Sequence, residues 1–457
     1  MKKSFLIPYI IVALFETLFL FGCDNGSSTT TPQTATESAV QTPAKPDEPK
    51  IATQAYRRVK KTYNGQTIYL LEMDDFPLRD VPLATIRKNA EAGDPNSEYE
   101  LGRRLGAGEG VDRDFHESFQ WIKKAAKHNN PEAQFELGMM FSLGAGVRQN
   151  PEQAVHWYQR AAEQGHVLAQ DNLSQLYDVG AKVQRDYTKA LHWAQKAAEQ
   201  GFGPSQNRLG VIYRQGLGVP QDKAKALEWF HKAAEQNDPE AQFNIGNMYD
   251  VGEGVPVDYA KAAKYYHKAA EQGIPLAQNY LATLYADGNG VEKDSLEAVR
   301  WYQMAAEQGF DLAQYNLGTM YSHGEGVKQD HMEAYKWYKK SADQGYAAAK
   351  TNLGSMFYSG NAVPINDEKA YDYTLQAAMQ GNAQAILNLG VFYYDGAAVP
   401  KDLVKSYGHF YLLTTYDNNQ REKALNKIAE LKERLSSDEI QAAKQEAKKL
   451  MQEYGIE

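Results

Sequence analysis

The sequence predicts an all-α protein, a right-handed α-solenoid of about nine 36-residue helix-turn-helix repeats that ends in a C-terminal helical cap. The tryptophans give the first observation, because all six share one frame of that period, and Tyr265 fills the single gap. They are Trp121, Trp157, Trp193, Trp229, Trp301 and Trp337. The glycines give the second, since nine of them run in one frame from Gly108 to Gly396, each followed three residues later by valine. Periods of this length are typical of stacked repeat proteins.

The first 22 residues have the features of an export signal. Lys2 and Lys3 precede an apolar run from Phe5 to Leu20, and Cys23 is the only cysteine of the chain. The sequence Leu-Phe-Gly-Cys at residues 20–23 resembles a bacterial lipoprotein signal. That resemblance implies cleavage before Cys23 and lipidation of its thiol and amine. The alternative is an uncleaved membrane anchor, because the apolar run is almost long enough to span a bilayer.

Residues 23–50 are rich in Ser, Thr and Pro and hold too few large apolar side chains to fold, so we expect a disordered tether. By resemblance to enterobacterial lipoproteins, Asp24 favours retention at the inner membrane, although the outer membrane stays possible. The sequence therefore predicts a periplasmic protein held to a membrane by its N-terminal lipid.

Residues 51–93 form the lead-in to the repeats. The sequence Tyr-Asn-Gly at residues 63–65 lies before an apolar stretch, which leaves two alternatives, a short β-hairpin or an irregular ordered segment. Leu83 to Gly93 aligns with the second helix of a repeat and is expected to cap the stack.

Residues 94–417 contain nine repeats, each with a first helix (helix A) and a second helix (helix B). In the repeat that starts at Asp238, Pro239 suits the first turn of helix A and Gly252 suits its left-handed C-terminal cap. Asp258 is expected to cap the N-terminus of helix B. The frame of Asp258 holds only Asp or Asn: Asp114, Asn150, Asp186, Asp222, Asp258, Asp294, Asp330, Asn366 and Asp402.

The repeat motif resembles a known family. The pattern is Ala-x-x-x-Leu-Gly-x-Met-Tyr-x-x-Gly-x-Gly-Val-x-x-Asp, followed by Ala-x-x-Trp-Tyr-x-x-Ala-Ala-Glu-Gln-Gly. It is similar to Sel1-like repeats, which are related to tetratricopeptide repeats, and Ala313 to Gly345 matches it almost throughout. Local departures include Lys182, Ala362 and Ala398 at loop glycine frames. Residues 418–457 resemble the charged closing helices that follow such repeats, with a cap at residues 436–439.

Three frames of helix A vary between repeats and form one helical face beside the core, because they are spaced i, i+4 and i+7. We call this face the helix-A stripe. Its first frame is Tyr99, Phe135, Asp171, Asn207, Phe243, Asn279, Tyr315, Thr351 and Leu387. The second is Arg103, Met139, Gln175, Val211, Asn247, Thr283, Thr319, Ser355 and Val391. The third is Gly106, Ser142, Asp178, Arg214, Asp250, Ala286, Ser322, Tyr358 and Tyr394.

By resemblance to tetratricopeptide solenoids, helix A lines the concave surface, so the stripe is the candidate partner-binding face. Its predicted anchors are Tyr99, Phe135, Met139, Phe243 and Tyr315. The alternative for these apolar residues is that they complete the packing between repeats.

The sequence predicts no catalytic residue, no metal site and no cofactor. A formal net charge of −9 argues against nucleic acid, which needs a clustered basic face. With Cys23 lipidated no thiol remains, and no phosphate-binding loop or nucleophile motif is present. His156 and His192 share a frame with Glu228 and Lys264, as expected for surface positions.

The leading hypothesis is a non-enzymatic scaffold of the cell envelope that binds a protein partner. A sharper form, taken from resemblance, is an immunity lipoprotein that blocks a secreted lipase or cell-wall toxin, and an acidic face would suit a basic partner. Two further alternatives are a receptor for peptidoglycan or another glycan and, least favoured, a β-lactam-interacting hydrolase.

Overall fold

The computed structural model describes residues 56–63, 66–73, 78, 80–180, 183–416 and 418–456. The chain divides into two compact units, Met1–Ser205 and Gln206–Glu457, and the division falls inside one helix. The predicted signal, Cys23 and the tether lie outside the described residues. In the lead-in, β1 (Tyr56–Tyr63) pairs antiparallel with β2 (Gln66–Met73), so the hairpin alternative is the one observed.

The other elements that the structure describes in the first unit are helices. Its helices are α1 (Leu83–Glu91), α2 (Pro95–Ala107), α3 (Phe115–Lys127), α4 (Pro131–Leu143), α5 (Pro151–Glu163), α6 (Val167–Val179) and α7 (Tyr187–Glu199). Helix α8 (Gly203–Gln215) contains the division between the units. Each of α1 to α6 packs against the next helix in the chain, which is the arrangement of an α-solenoid.

The second unit continues the same alternation of helices. They are α9 (Lys223–Glu235), α10 (Pro239–Val251), α11 (Tyr259–Glu271), α12 (Pro275–Asp287), α13 (Ser295–Glu307), α14 (Asp311–His323), α15 (His331–Asp343), α16 (Ala347–Ser359), α17 (Asp367–Ala378), α18 (Ala383–Asp395), α19 (Leu403–Leu412), α20 (Arg421–Lys432) and α21 (Ser437–Glu453). The even-numbered helices α2 to α18 are the A helices, and the odd-numbered α3 to α19 are the B helices. The predicted all-α solenoid of nine helix pairs is therefore confirmed, with the hairpin as an addition.

The ends of the helices follow the frames read in the sequence. All nine Asp and Asn residues of the helix-B capping frame accept hydrogen bonds from backbone N–H groups of the first turn, as Asp258 does from Lys261 at 2.9 Å. All nine glycines of the Gly108 frame have positive φ, including Gly252 at 73°. Such a conformation costs glycine little, which explains why no other residue occupies the frame.

The core runs through both helices of each pair. One helix-A frame, from Leu101 to Leu389, holds nine aliphatic residues of 0–1% exposure. It packs against the small residues of helix B, such as Ala269 and Ala270, which are fully buried. Small side chains at these positions let the helices approach closely.

A ladder of glutamine pairs also joins the two helices within each of six repeats. In six repeats the glutamine after helix B donates its Nε2 to the Oε1 of a helix-A glutamine at 2.7–2.9 Å. The pairs are Gln164–Gln134, Gln200–Gln170, Gln236–Gln206, Gln272–Gln242, Gln308–Gln278 and Gln344–Gln314. Gln134 also donates to the carbonyl of Ala126 in the preceding repeat, and Gln278 to Ala270. Because buried polar groups need partners, each pair satisfies a side chain that would otherwise destabilise the core.

The last repeat is closed by α20 and α21. Ser436 and Glu439 form a capping box at the start of α21, in the segment predicted as its cap. His409 occupies the tryptophan frame of the ninth repeat and is buried under α21, where its Nε2 lies 3.2 Å from the Tyr454 hydroxyl. The final repeat thus has, in place of an indole, a side chain that hydrogen bonds to the cap.

Candidate functional site

Two of the five predicted anchors are buried. Tyr99 is 1% exposed and Phe135 is 3% exposed. The Phe135 ring stacks on His166 of the next repeat at 4.6 Å and packs against Tyr158 at 5.7 Å. The prediction that Tyr99 and Phe135 present their rings to a partner is therefore wrong, and the alternative of packing applies to them.

The other three anchors are half-buried. Phe243 packs against Tyr266 and Tyr280, with ring centroids 5.6 and 5.9 Å apart. Tyr315 lies between Tyr338 and Tyr346, at 5.8 and 5.2 Å. Met139 packs on the core of the first unit and stays partly accessible. All three residues keep some accessible surface, but the rings of Phe243 and Tyr315 are already packed against neighbouring tyrosine rings.

The second and third frames of the helix-A stripe supply most of its accessible surface. In the second frame every member except Arg103 is at least partly exposed, and Ser355 is exposed. In the third frame all nine members are partly exposed. The second and third frames thus form a surface, whereas five of the nine members of the first frame are buried.

Buried tyrosines of helix B lie beneath this surface and hydrogen bond to its residues, which the sequence pattern did not indicate. The hydroxyl of Tyr266 donates to Asp250 at 3.0 Å, and the hydroxyl of Tyr302 lies 2.9 Å from Oγ1 of Thr283. Burial raises the pKa of Tyr302 to about 12, so its hydroxyl stays protonated at neutral pH. The frame that follows the tryptophans, which holds an aromatic residue in most repeats, was the available signal.

Charged members of the stripe in the second unit already have polar partners. Arg214 donates to Glu253 and to Oδ1 of Asn247, both at 2.7 Å. Asp250 accepts from Tyr266, and desolvation raises its pKa. From Asn279 to Tyr358 no member of the stripe carries a charge.

The stripe of the first unit is different, because it begins in a buried network of charges. Glu100 is fully buried and accepts from Arg103 at 2.7 and 2.9 Å and from Arg104 at 2.6 Å. Arg103 also donates to Glu109 at 2.6 Å. In the next repeat Glu136 hydrogen bonds to Tyr99, and burial raises the pKa of Glu136 to about 7. This network holds the first two repeats together.

The histidines differ in burial and in structural role. His156 and His192 are exposed, as predicted. His166 caps α6 by accepting from the backbone N–H of Ala169 at 3.3 Å, and burial lowers its pKa to about 4. Within the described ranges no group of three or more His, Cys, Asp or Glu side chains is arranged to hold a metal ion. Among the same residues, no helix combines the length and apolar character needed to cross a bilayer.

The Sel1 repeat model matches the chain nine times in succession, over residues 95–130, 131–166, 167–202, 203–238, 239–274, 275–310, 311–346, 347–382 and 383–413. These matches cover the whole predicted repeat region apart from its first and last few residues. A comparison with curated proteins gives no match.

Solved structures of similar proteins include a protective antigen present in uropathogenic Escherichia coli strains that displays an SLR fold. It is 30% identical, the alignment covers 82% of this chain and 95% of the antigen, and the TM-score is 0.53. A Sel1 repeat protein from Oxalobacter formigenes is 34% identical, over 70% of this chain and 94% of that protein, with a TM-score of 0.56.

An immunity protein from Pseudomonas aeruginosa is 25% identical. The alignment covers 46% of this chain and 80% of the immunity protein, and the TM-score is 0.32. The nine repeat matches and the two longer alignments agree with the observed helix pairs. The chain belongs to the Sel1 repeat family, whose helical repeats form scaffolds suited to protein–protein interaction.

Proposed function

We propose that this protein is a lipid-anchored scaffold of a bacterial envelope that binds a protein partner through the helix-A stripe. The observation that carries the proposal is the contrast between adjacent frames of helix A. The frame from Leu101 to Leu389 is aliphatic and buried in all nine repeats. The stripe beside it changes from repeat to repeat, and its second and third frames are partly exposed except at Arg103. A rigid core with a variable accessible face suits selective recognition of a partner.

The envelope location rests on the sequence alone. The run that ends at Cys23 resembles a lipoprotein signal, and the 28 residues from Cys23 to Lys50 would form a tether between the lipid and the repeats. Three acyl chains on one residue would give firm attachment to a membrane. Mass spectrometry of the mature N-terminus tests this part, and an intact Met1 or an unmodified Cys23 would exclude it.

Partner binding is tested by cross-linked affinity capture with the complete lipidated protein. The test variant carries Thr319→Lys, Ser322→Lys and Ser355→Lys, which place three charges on the stripe of α14 and α16. The matched control carries Gln195→Lys, Gln303→Lys and Gln376→Lys. These three lie on helix B in frames where this chain already has Lys339 or Lys340, so the control adds equal charge at permissive sites.

The proposal expects one dominant protein that the unmodified chain and the control capture and the test variant loses. Circular dichroism of both variants must match the unmodified chain, so that loss of capture reports the surface and not the fold. A captured secreted toxin would identify an immunity role, and an assembly component would identify an adaptor. Equal capture by both variants would exclude the stripe, and retention of glycan without any protein would exclude the scaffold function.

A further inference from the structure

The eighth repeat departs from the pattern of the others at three positions that line one cavity. Lys350 takes the frame of the helix-A glutamines of the ladder, which are 0–6% exposed in six repeats. Tyr373 takes the frame of the tryptophans. Gln376 takes the frame in which a Lys or Arg covers the ring of the tryptophan frame in six repeats, as Lys340 does over Trp337 at 3.8 Å. Three independent departures therefore meet at one place.

The cavity has a volume of about 480 Å³ and is lined by residues of α15, α16 and α17. A tyrosine and a glutamine fill less of this space than the tryptophan and lysine that occupy the same frames in the seventh repeat. The volume is in the range of small-molecule sites, roughly 300–1,000 Å³. The departures of the eighth repeat thus leave room for a small ligand.

Three charged groups of the cavity wall lack a partner of opposite charge among the residues that the structure describes. They are the ammonium groups of Lys350 and Lys369 and the carboxylate of Asp372. Asp343, the other carboxylate of the wall, is paired with Lys339. Lys350 is half-buried, and a partly desolvated charge without a counter-charge is unfavourable. The wall therefore calls for two negative groups and one positive group.

A pair of aromatic rings holds one side of the cavity in place. The ring of Tyr373 is nearly parallel to that of the buried Phe357, with centroids 5.9 Å apart. Nζ of Lys369 lies 5.1 Å from the centroid of the Phe357 ring. Because one buried ring positions both Tyr373 and Lys369, the cavity has a preorganised cation beside a flat apolar wall.

We infer that this cavity binds a small acidic amino acid. Its two carboxylates lie against Lys350 and Lys369, and its ammonium group lies against Asp372. The charges of such a ligand complement the three unpaired charges of the wall, and its aliphatic carbons pack on the ring of Tyr373. The residues of the cavity lie outside the helix-A stripe, so the inference goes beyond the proposed function and does not depend on it.

Isothermal titration of the complete protein with L-glutamate tests the inference, at an ionic strength that NaCl keeps constant. The comparison ligands are L-glutamine, which lacks the second carboxylate, and glutarate, which lacks the ammonium group. Lys350→Gln restores the residue of six other repeats, so it should fold like the unmodified chain. Asp372→Asn removes the unpaired carboxylate. Lys264→Gln is the matched control, because Lys264 is exposed on α11, outside the cavity, and the variant removes the same charge.

The inference expects one L-glutamate per chain with a Kd below about 1 mM, and binding of L-glutamine and glutarate that is at least about tenfold weaker. Lys350→Gln should weaken L-glutamate about tenfold, whereas Lys264→Gln should leave it unchanged. Asp372→Asn should weaken L-glutamate but not glutarate, because only the amino acid has a positive group to pair with Asp372. Equal Kd values for the three ligands, no L-glutamate binding up to about 10 mM, or undiminished binding by Lys350→Gln would overturn the inference.

Discussion

The ring of Tyr266 lies directly on the backbone of Gly246, so close that a Cβ on Gly246 would be 2.7 Å from Cδ1 of the ring. Gly246 belongs to helix A of the fifth repeat and Tyr266, which is fully buried, to helix B. The same contact recurs as Gly138–Tyr158, Gly210–Phe230, Gly318–Tyr338 and Gly390–Phe410. Where the third repeat has Ser174 in the glycine frame, it has Ala194 in the ring frame, so the two frames are matched in size.

Gly246→Ala should therefore lower the free energy of unfolding by about 1–3 kcal/mol, which is the usual cost of an extra methyl group in a packed core. The sixth repeat carries Ala282 opposite Tyr302, so the change should weaken the helix pair without abolishing it. Urea denaturation followed by circular dichroism measures the loss. The double variant with Tyr266→Ala is the control, and it should lose less than the sum of the two single variants. Strict additivity would show that the ring is not the cause.

The periodic part of the fold was readable from the sequence because each repeated residue has a repeated structural role. The helix-B caps and the left-handed glycines are examples, and their backbone requirements are local. The burial of Phe135 was not predicted because residue type varies in its frame, although the frame of its partner His166 holds an aromatic residue in three other repeats, as Phe202, Phe310 and Tyr346. Variation between repeats suggested exposure, whereas the ring contact between these two frames recurs as Tyr315 with Tyr346.

The tyrosine frame that runs from Tyr213 to Tyr393 lies at the edge of the core. Tyr213, Tyr249 and Tyr393 are half-buried, and a lysine from the first turn of helix B covers each ring, as Lys225 does over Tyr213 at 4.2 Å. The glutamine ladder was missed although both of its frames repeat in the sequence. A search for pairs of frames that keep one polar residue type would have found it.

Ala362 has a strained backbone conformation. Its φ is 68°, and its loop frame holds glycine in six other repeats. An alanine in this conformation costs roughly 1–2 kcal/mol, of which the greater flexibility of unfolded glycine cancels part. Ala362→Gly should thus raise the free energy of unfolding by about 0.5–1 kcal/mol. Ala397→Gly, in the loop of the next repeat and without positive φ, should lower it slightly. Stabilisation by both changes would contradict the explanation.

His409 should make the C-terminal cap sensitive to acid. Its Nδ1 donates to the carbonyl of Lys405 at 2.9 Å, so Nε2 must accept from the Tyr454 hydroxyl, and only the neutral ring permits both bonds. Burial lowers the pKa of His409 to about 4, so the unfolded chain binds more protons between about pH 6.5 and 4. The free energy of unfolding should therefore fall as the pH decreases through that window, by about 2 kcal/mol between pH 6.5 and 5.

Urea denaturation at several pH values measures this dependence. His409→Gln removes the titrating group and should flatten the curve, while the exposed control His156→Gln should leave it unchanged. Some acid sensitivity should persist in His409→Gln, because burial also lowers the pKa of His166 to about 4. A curve for His409→Gln as steep as that of the unmodified chain would exclude the contribution of His409.

Glu136 should have the opposite pH dependence. Its pKa in the folded chain, about 7, lies above its ordinary value of 4.5, chiefly because burial disfavours the carboxylate and although Arg103 favours it. The folded chain thus binds more protons between these pH values, and the contribution of Glu136 to stability falls as the pH rises from 4.5 to 7. Glu136→Gln keeps the shape without the charge, so at pH 8 it should raise the free energy of unfolding by about 1–3 kcal/mol and at pH 4 change it little. The exposed control Glu152→Gln should stay within about 0.5 kcal/mol at both pH values. A loss of stability in Glu136→Gln at pH 8 would mean that the carboxylate stabilises the network around Arg103, and that its ionisation is favoured there.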